Sequence, residues 1–340
     1  MTQTLSSRQL GRSDVQVSPV IFGAWAIGGW MWGGSEEAES IDAIRASIDA
    51  GVTTIDTAAI YGMGHSEELV AKAVEGRRSQ VIIATKCGMR WDGPADQGSD
   101  PWPQKDNAGR DVLIRKNARP ESILYECEQS LKRLKTDVID LYQIHWPDTS
   151  TPVEDSIGAM VRLKEQGKIR AIGVSNYDET WLARALKVGQ IDSHQPPYSI
   201  ISRQIEARVL PFTREHDIAS IVYSPMERGL LTGAVTIDRQ FAEGDHRAKH
   251  KFFRPENRRR VLNSLEKVKP IADRHRASLA QLMIAWTIHE PGITAALVGA
   301  RNADQAHHNA AAMSIRLSEP ERAEIRAAFD ETSAALMAAK

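Results

Sequence analysis

Val20-Ile-Phe-Gly-Ala-Trp-Ala-Ile-Gly28-Gly29 is the first apolar run of the chain, and its glycines decide between two folds. A short apolar run bounded by glycine reads as a strand buried on both faces. In an open, doubly wound sheet the first such strand leads into a Gly-x-Gly-x-x-Gly turn. Here Gly23, Gly28 and Gly29 have the wrong spacing. Gly62-Met-Gly64 does not complete the pattern either, because Glu67 stands where the third glycine belongs. The open sheet loses its signature, and a closed barrel becomes the better reading.

The rest of the chain repeats the same unit. Strands are expected over Val20–Gly28, Thr53–Ala58, Val81–Lys86, Val138–His145, Ile169–Asn176, Ser193–Ser199, Ser220–Pro225 and Ala295–Arg301. Helical periodicity lies between them, as in Glu36–Ala50, Ser66–Val74, Pro120–Leu134, Glu154–Gln166 and Arg258–His275. Gly51, Gly76 and Gly167 stand just past helix ends, where glycine best accepts the left-handed cap. Eight alternating strand and helix units predict a (β/α)₈ barrel of the α/β class, preceded by an N-terminal β-hairpin. A single domain is expected over residues 1–340, with the barrel core over about 10–312 and a helical tail over 313–340. Two polar, aperiodic segments, Trp91–Ala118 and Glu227–Pro255, exceed ordinary loop length and read as lids over the barrel mouth.

Composition narrows the function classes. Hydrophobic residues make up 42% and charged residues 26% of the 340, with a net charge of −1. No basic field points to nucleic acid. No run of about 18 apolar residues points to a membrane span, and the start, MTQTLSSRQLGRSD, lacks the apolar core of a secretory signal. Cys87 and Cys127 are too far apart for a metal-spaced pair, so a reducing, cytoplasmic setting is expected, with Cys87 a buried filler. His246/His250 and His307-His308 lack supporting ligands at metal spacing and read as surface residues, so no metal is expected.

In a barrel of this kind the active site lies where strands end. Strand two ends in Asp56, with Tyr61 five residues on; strand three ends in Lys86 and strand four in His145. Each alone has a structural explanation. Together, on consecutive strand ends, they form a proton-transfer device. An ammonium near a phenol favours the phenolate and lowers its pKa from about 10. A carboxylate would hold that lysine, and an imidazole would orient the oxygen that receives the proton. Six of the eight tryptophans, Trp25, Trp30, Trp32, Trp91, Trp102 and Trp146, follow strands one, three and four, so an aromatic-walled pocket is expected at the mouth. Trp25, Trp32, Trp91 and Trp146 are its candidate lining.

The sequence resembles the aldo-keto reductase superfamily. The resemblance rests on Asp56-Thr-Ala-Ala-Ile-Tyr61-Gly-Met-Gly-His-Ser-Glu, Ala84-Thr-Lys86, Asp140-Leu-Tyr-Gln-Ile-His145-Trp-Pro-Asp, Gly167-Lys-Ile-Arg-Ala-Ile-Gly-Val-Ser175-Asn176 and Tyr223-Ser-Pro-Met-Glu-Arg-Gly-Leu-Leu-Thr-Gly. It spans about Leu10 to about Asn309 and is most similar to bacterial members acting on methylglyoxal, glyceraldehyde and other small aldehydes. It implies reduction of a small carbonyl compound by a nicotinamide cofactor, or the reverse oxidation, with Tyr61 as general acid and Asp56, Lys86 and His145 completing the tetrad. It implies that Ser175, Asn176 and Gln195 bond the nicotinamide carboxamide and that Tyr223 stacks on its ring. Ser224, Pro225, Met226, Arg228, Gly229 and Leu230 would follow the pyrophosphate, with Gly23, Ala24 and Trp25 also at the cofactor. Gly299, Arg301, Gln305 and Asn309 would hold the adenosine end. Many NADPH-binding members carry a Lys-Ser pair and a later Arg there. This chain has Gly299-Ala300 and Gln305 instead, which leaves Arg301 as the cation. A guanidinium suits a phosphate, so NADPH is the expected cofactor and NADH the alternative. A monomer or weak homo-oligomer is expected. The competing functions are a Schiff-base aldolase using Lys86 and a redox-sensing regulatory subunit that binds nicotinamide.

Overall fold

In the computed structural model, which describes residues 7–32, 34–94, 96–241 and 245–338, eight parallel strands close into a barrel. They are β1 (Val20–Gly23), β2 (Thr54–Asp56), β3 (Ile82–Cys87), β4 (Ile139–Ile144), β5 (Ile169–Ser175), β6 (Ser193–Gln195), β7 (Ala219–Val222) and β8 (Ile293–Val298). Each pairs with its sequence neighbours, and β8 returns to β1. All eight expected strands are present, most of them shorter than the apolar runs that announced them. The first ends at Gly23 rather than Gly28, because Ala26–Gly28 winds into a 3₁₀ turn. The sixth ends at Gln195, beyond which only a Pro197–Tyr223 bridge continues the ladder. A run that packs against a barrel top stays apolar after strand pairing has stopped, so hydrophobicity overstates strand length.

Inside the barrel the side chains form layers, as parallel barrels require. Ile21, Ala84, Leu141, Ala171, Ala219, Ile221, Ala295 and Leu297 fill the lower interior. Leu10, Val15 and Val17 from the N-terminal hairpin, which pairs Arg8–Gln9 with Gln16–Val17, pack beneath them as a plug. Outside, strands and helices share a second, larger core that includes Phe22, Ile55, Ile83, Ile144, Ile172 and Val298.

Helices α1 (Glu37–Asp49), α2 (His65–Ala73), α3 (Pro120–Leu134), α4 (Val153–Glu165), α5 (Glu179–Leu186) and α6 (Val209–Glu215) follow β1 to β6 in turn. Helix α7 (Pro255–Arg274) lies outside α8 (Leu279–His289), α9 (Ala303–Ala311) follows β8, and α10 (Glu319–Ala338) packs on α7. Helix α8 is buried from Leu282 through Ile288 and starts with a Ser278/Gln281 capping box.

The segment 91–118, read from the sequence as a lid, has regular structure of its own. It folds largely into an antiparallel hairpin, Ser99–Lys105 against Asp111–Lys116, which extends to Met89–Arg90. The segment 227–255 includes, among its described residues, short 3₁₀ turns at Glu227–Thr232, His246–Lys249 and Lys251–Phe253. The buried Arg258 ties it down by donating to the carbonyls of Ile237 (2.9 Å) and Arg239 (2.8 Å).

Candidate active site

Strand register sets the site. Gly23 lies opposite Asp56, Asp56 opposite Ala84, Lys86 opposite Gln143, Gln143 opposite Gly173, and Ser175 opposite Gln195. Asp56, Lys86, Gln143 and Gln195 therefore form a polar layer above the apolar filling, and all four are buried.

Within that layer Lys86 Nζ is ion-paired to Asp56 Oδ1. The same ammonium donates to the carbonyl of Thr57 at 2.8 Å and to the Tyr61 hydroxyl at 3.3 Å. It has no further proton to give, so its direction is fixed. The Tyr61 loop is held equally firmly. Ser66 donates to the Ala24 carbonyl at 2.9 Å and lies 2.8 Å from the Thr57 hydroxyl. Gly62 takes φ +64°, and a Cβ there would lie 2.4 Å from the Gly28 carbonyl oxygen, so only glycine fits behind Tyr61. The His145 ring stands edge-on to Tyr61 with centroids 5.7 Å apart.

Burial decides the protonation states. It raises the Tyr61 pKa above the ordinary phenol value; Lys86 pulls it down, and Asp56 pushes it up again. The expectation that the ammonium would win is thus corrected, because burial of the phenol, helped by Asp56, outweighs it. Burial also works to lower the Lys86 pKa, but Asp56 and Tyr61 outweigh it and keep the ammonium charged. Burial and the neighbouring ammonium push His145 well below the usual imidazole value, so it is neutral. The site therefore holds a protonated phenol, a charged lysine and a neutral imidazole at neutral pH.

Trp25 and Trp32 stand beside this group, with Trp25 6.3 Å from the Tyr61 ring and Trp32 edge-on to Trp25 at 5.3 Å. Trp91 packs in the same cluster as Tyr61. Trp146 is 36% exposed and carries the Lys116 ammonium 5.3 Å from its ring centroid, so it borders the hairpin. Trp30 turns away to pack on Trp102 at 5.7 Å.

The other expected cofactor residues fall into two groups. The first surrounds β5 to β7. Ser175 donates to the Gln195 carbonyl (2.7 Å), Asn176 to the His145 carbonyl (3.0 Å), and Tyr223 to Asn176 Oδ1 (2.9 Å). Asn176, Ser224, Glu227 and Arg228 all adopt left-handed backbone, a strain that persists only where surroundings enforce it. Of the stretch 224–230, Pro225, Glu227 and Leu230 are buried, which leaves Ser224, Met226, Arg228 and Gly229 partly accessible. Arg228 lies 3.3 Å from Glu227 and 3.4 Å from His250. The second group surrounds β8. Asn309 donates to the Gly299 carbonyl (3.1 Å), the Arg301 amide to Gln305 Oε1 (3.0 Å), and the Arg301 side chain to the Gly34 carbonyl (2.8 Å). A Cβ built on Gly23 or Gly299 would meet no protein atom nearer than 3.7 or 3.5 Å. A Cβ at either position would make ordinary van der Waals contact across β1 and β8, so neither glycine is demanded by a clash there.

Among the described residues no cluster of His, Cys, Asp and Glu is placed to hold a metal ion. His307 and His308 are exposed, and the side chain of His246 lies outside the described part. No helix among the described residues is long and apolar enough to cross a membrane.

Two buried residues escaped the sequence reading. Gln143 bonds Asp56 at 3.1 Å. Glu126, on α3, accepts the Gly88 amide through both oxygens at 3.1 Å. Gln143 was within reach, two positions before His145 in the same expected strand and so on the same face. Glu126 carried no signal, since its partner amide is a backbone group.

A closed barrel whose mouth unites a phenol, an ammonium, a carboxylate and an imidazole has the groups of a barrel enzyme that moves protons at a buried site. The model of the Aldo/keto reductase family matches residues 19–330, and the chain belongs to that family. It is 40% identical over 299 residues to "Aldo-keto reductase YhdN" of Bacillus subtilis, covering 86% of this chain and 84% of that protein. It is 37% identical over 316 residues to the "NADH-specific methylglyoxal reductase" of Escherichia coli, covering 91% and 94%. The solved glycerol dehydrogenase of Gluconobacter oxydans is similar across 97% of this chain and 96% of its own, with a TM-score of 0.86 and 32% identity. The chain is an NAD(P)H-dependent carbonyl reductase of this family.

Proposed function

We propose that the chain reduces small aldehydes and ketones, or oxidises the corresponding alcohol in reverse, with Tyr61 as the proton donor. The observation that carries this reading is the contact of Lys86 with both Asp56 and Tyr61 at the barrel mouth. The left-handed turn at 224–229, partly accessible beside Asn176 and Tyr223, fits a nicotinamide cofactor. Ser175, Asn176, Gln195 and Tyr223 would hold its nicotinamide, and Gly299, Arg301, Gln305 and Asn309 its adenosine end. When bound, that cofactor supplies the hydride, and the protein supplies position and electrostatics.

The protein's own part follows from the protonation states. Neutral His145 can donate one N–H to a carbonyl oxygen and so aim it. Tyr61 is protonated and within reach of the same face. As its proton leaves, the adjacent ammonium stabilises the phenolate that forms. Trp25 and Trp32 form an apolar wall suited to a small substrate. An aldolase mechanism would need an unprotonated Lys86, but Asp56 keeps it charged. The two cysteines are unpaired and buried, in keeping with a reducing cytoplasm.

The test is the reduced-nicotinamide absorbance band with NADPH or NADH and a panel of small aldehydes including methylglyoxal and glyceraldehyde. Cofactor oxidation that survives in Lys86→Met or Tyr61→Phe at near wild-type rate would refute the role assignment. Cofactor binding without oxidation of either cofactor would favour the regulatory reading.

A further inference from the structure

We propose that Gln143 is a positioning residue that couples recognition of the nicotinamide carboxamide to the proton-transfer group. The proposal rests on the reading of Gln195 as a cofactor contact.

Gln143 is wholly buried inside the barrel on β4. The fold makes room for it at a specific place. On β5, a Cβ at Gly173 would lie 2.7 Å from Gln143 Cγ and 2.5 Å from the Ser193 hydroxyl. Gly173 does not have a positive φ, so it is glycine for space and not for conformation. An inward glutamine occupying the room that Gly173 leaves is a built feature of the polar layer.

The hydrogen bonds fix which way each amide points. Asp56 Oδ1 takes the Lys86 ammonium. Asp56 Oδ2 takes Nε2 of Gln143 at 3.1 Å and Nε2 of Gln195 at 2.9 Å. A carboxylate oxygen only accepts, so both amides must turn their NH₂ groups towards it. That leaves Gln143 Oε1 facing Gln195, where it accepts the second N–H at 3.2 Å. Gln195 Nε2 then has both protons engaged, and its Oε1 is the atom left for a ligand. An acceptor-only group suits the N–H of a carboxamide. It gives nothing to an acetyl group at the same position, which has no donor.

The same three-residue contact reaches the proton donor. Two neutral donors on Asp56 Oδ2 offset part of its charge, and Asp56 in turn raises the Tyr61 pKa. Removing Gln143 frees Gln195 from one of its two acceptors and leaves Asp56 with more uncompensated charge. Cofactor discrimination and the alkaline limb of turnover should therefore move together.

The experiment measures binding of oxidised cofactor and of its 3-acetylpyridine analogue by quenching of tryptophan fluorescence, which needs no turnover. Wild type should prefer the carboxamide by about 5–10-fold, the range of one ligand hydrogen bond. Gln143→Met should shrink that preference to within about 2-fold and move the alkaline limb of kcat to higher pH. Gln143→Glu supplies a second reading independent of packing. Its protonated acid can donate to Asp56 and accept from Gln195, so discrimination should be present at low pH and vanish as the new carboxyl ionises. Full discrimination and an unmoved alkaline limb in Gln143→Met would overturn the proposal, as would pH-independent discrimination in Gln143→Glu. If wild type itself shows no preference and matches Gln195→Leu, the cofactor role of Gln195 is wrong and the coupling falls with it.

Discussion

Glu126→Gln should abolish a pH dependence of stability that the wild-type protein carries. Glu126 is 3% exposed. It accepts the Gly88 amide through both oxygens and the Ser122 hydroxyl at 3.1 Å. The nearest cation, Arg90, is spent elsewhere, on Asp92 at 2.7 Å and on Ser122 at 3.1 Å. Asp92 adds repulsion, and the neighbours Cys87 and Tyr142 are themselves pushed towards their neutral forms. Burial therefore wins, and the carboxyl is pushed up from 4.5 to about 8. The folded protein then holds a proton that the unfolded chain releases across this window. Stability falls as pH rises wherever the native state binds more protons. The loss begins near the unfolded value of 4.5 and is complete above about 8. At about 1.4 kcal/mol per pH unit, a window of about 3.5 units corresponds to roughly 5 kcal/mol. Glutamine keeps the shape, accepts the Gly88 amide and cannot ionise. The two proteins should match at about pH 5, and the variant should be the more stable at about pH 9 by up to roughly 5 kcal/mol. Urea midpoints read by circular dichroism across that range decide the matter. Parallel curves for the two proteins, or a wild-type curve flat from pH 5 to 9, would refute the reasoning.

Tyr61→Phe should keep cofactor binding within about 2-fold and lose at least about 100-fold in kcat, the range of one general acid; fluorescence titration and steady-state rates separate the two. Because Tyr61 is raised above its ordinary value and His145 is neutral, reduction should be flat through the neutral range. It should decline only above about pH 10, while oxidation of the alcohol, which needs the phenolate, should rise towards it; a rate profile with a limb near pH 6.5 would contradict the neutral imidazole. Arg301→Ala should weaken NADPH binding about 5–10-fold and leave NADH unchanged, as loss of one charge-assisted contact predicts; equal effects on both cofactors would place the guanidinium on adenine instead. Gly62→Ala should destabilise by about 2–3 kcal/mol and disturb Tyr61, since its Cβ would strike the Gly28 carbonyl, whereas Gly76→Ala, with the same φ sign and open space, should cost only about 1 kcal/mol; similar thermal shifts for the pair would sink the steric argument.

The barrel was legible because its evidence is repeated. Eight apolar runs separated by helical periodicity leave little choice of architecture, and an error at the end of any one strand changes nothing about the rest. That is why Val20–Gly28 could be read five residues too long without cost. The hairpin over 99–116 was illegible for the opposite reason. Its strands carry Pro101, Pro103 and alternating charges, and the edge strand is exposed over Asp100–Pro103. Such a strand is held by pairing with its partner, and a hydrophobic pattern has little to say about it.

The tetrad positions divide along the same line. Asp56, Lys86 and His145 could be singled out because a strand end is a topological position that sequence reveals. What sequence does not reveal is how the charges are shared. An ammonium beside a phenol suggests a lowered pKa only if the ammonium is free. Here Asp56 takes the Lys86 charge, Gln143 and Gln195 take the other Asp56 oxygen, and burial decides the sign at Tyr61. Each of these partners lies on a different strand, between 30 and 139 residues from Asp56. Their meeting depends on barrel register, so a one-residue slip of β4 would turn Gln143 out of the layer and put an isoleucine or tyrosine in its place. The chemistry of this site is thus a property of the closed sheet, and register is the link between the residues one can read and the protonation states one cannot.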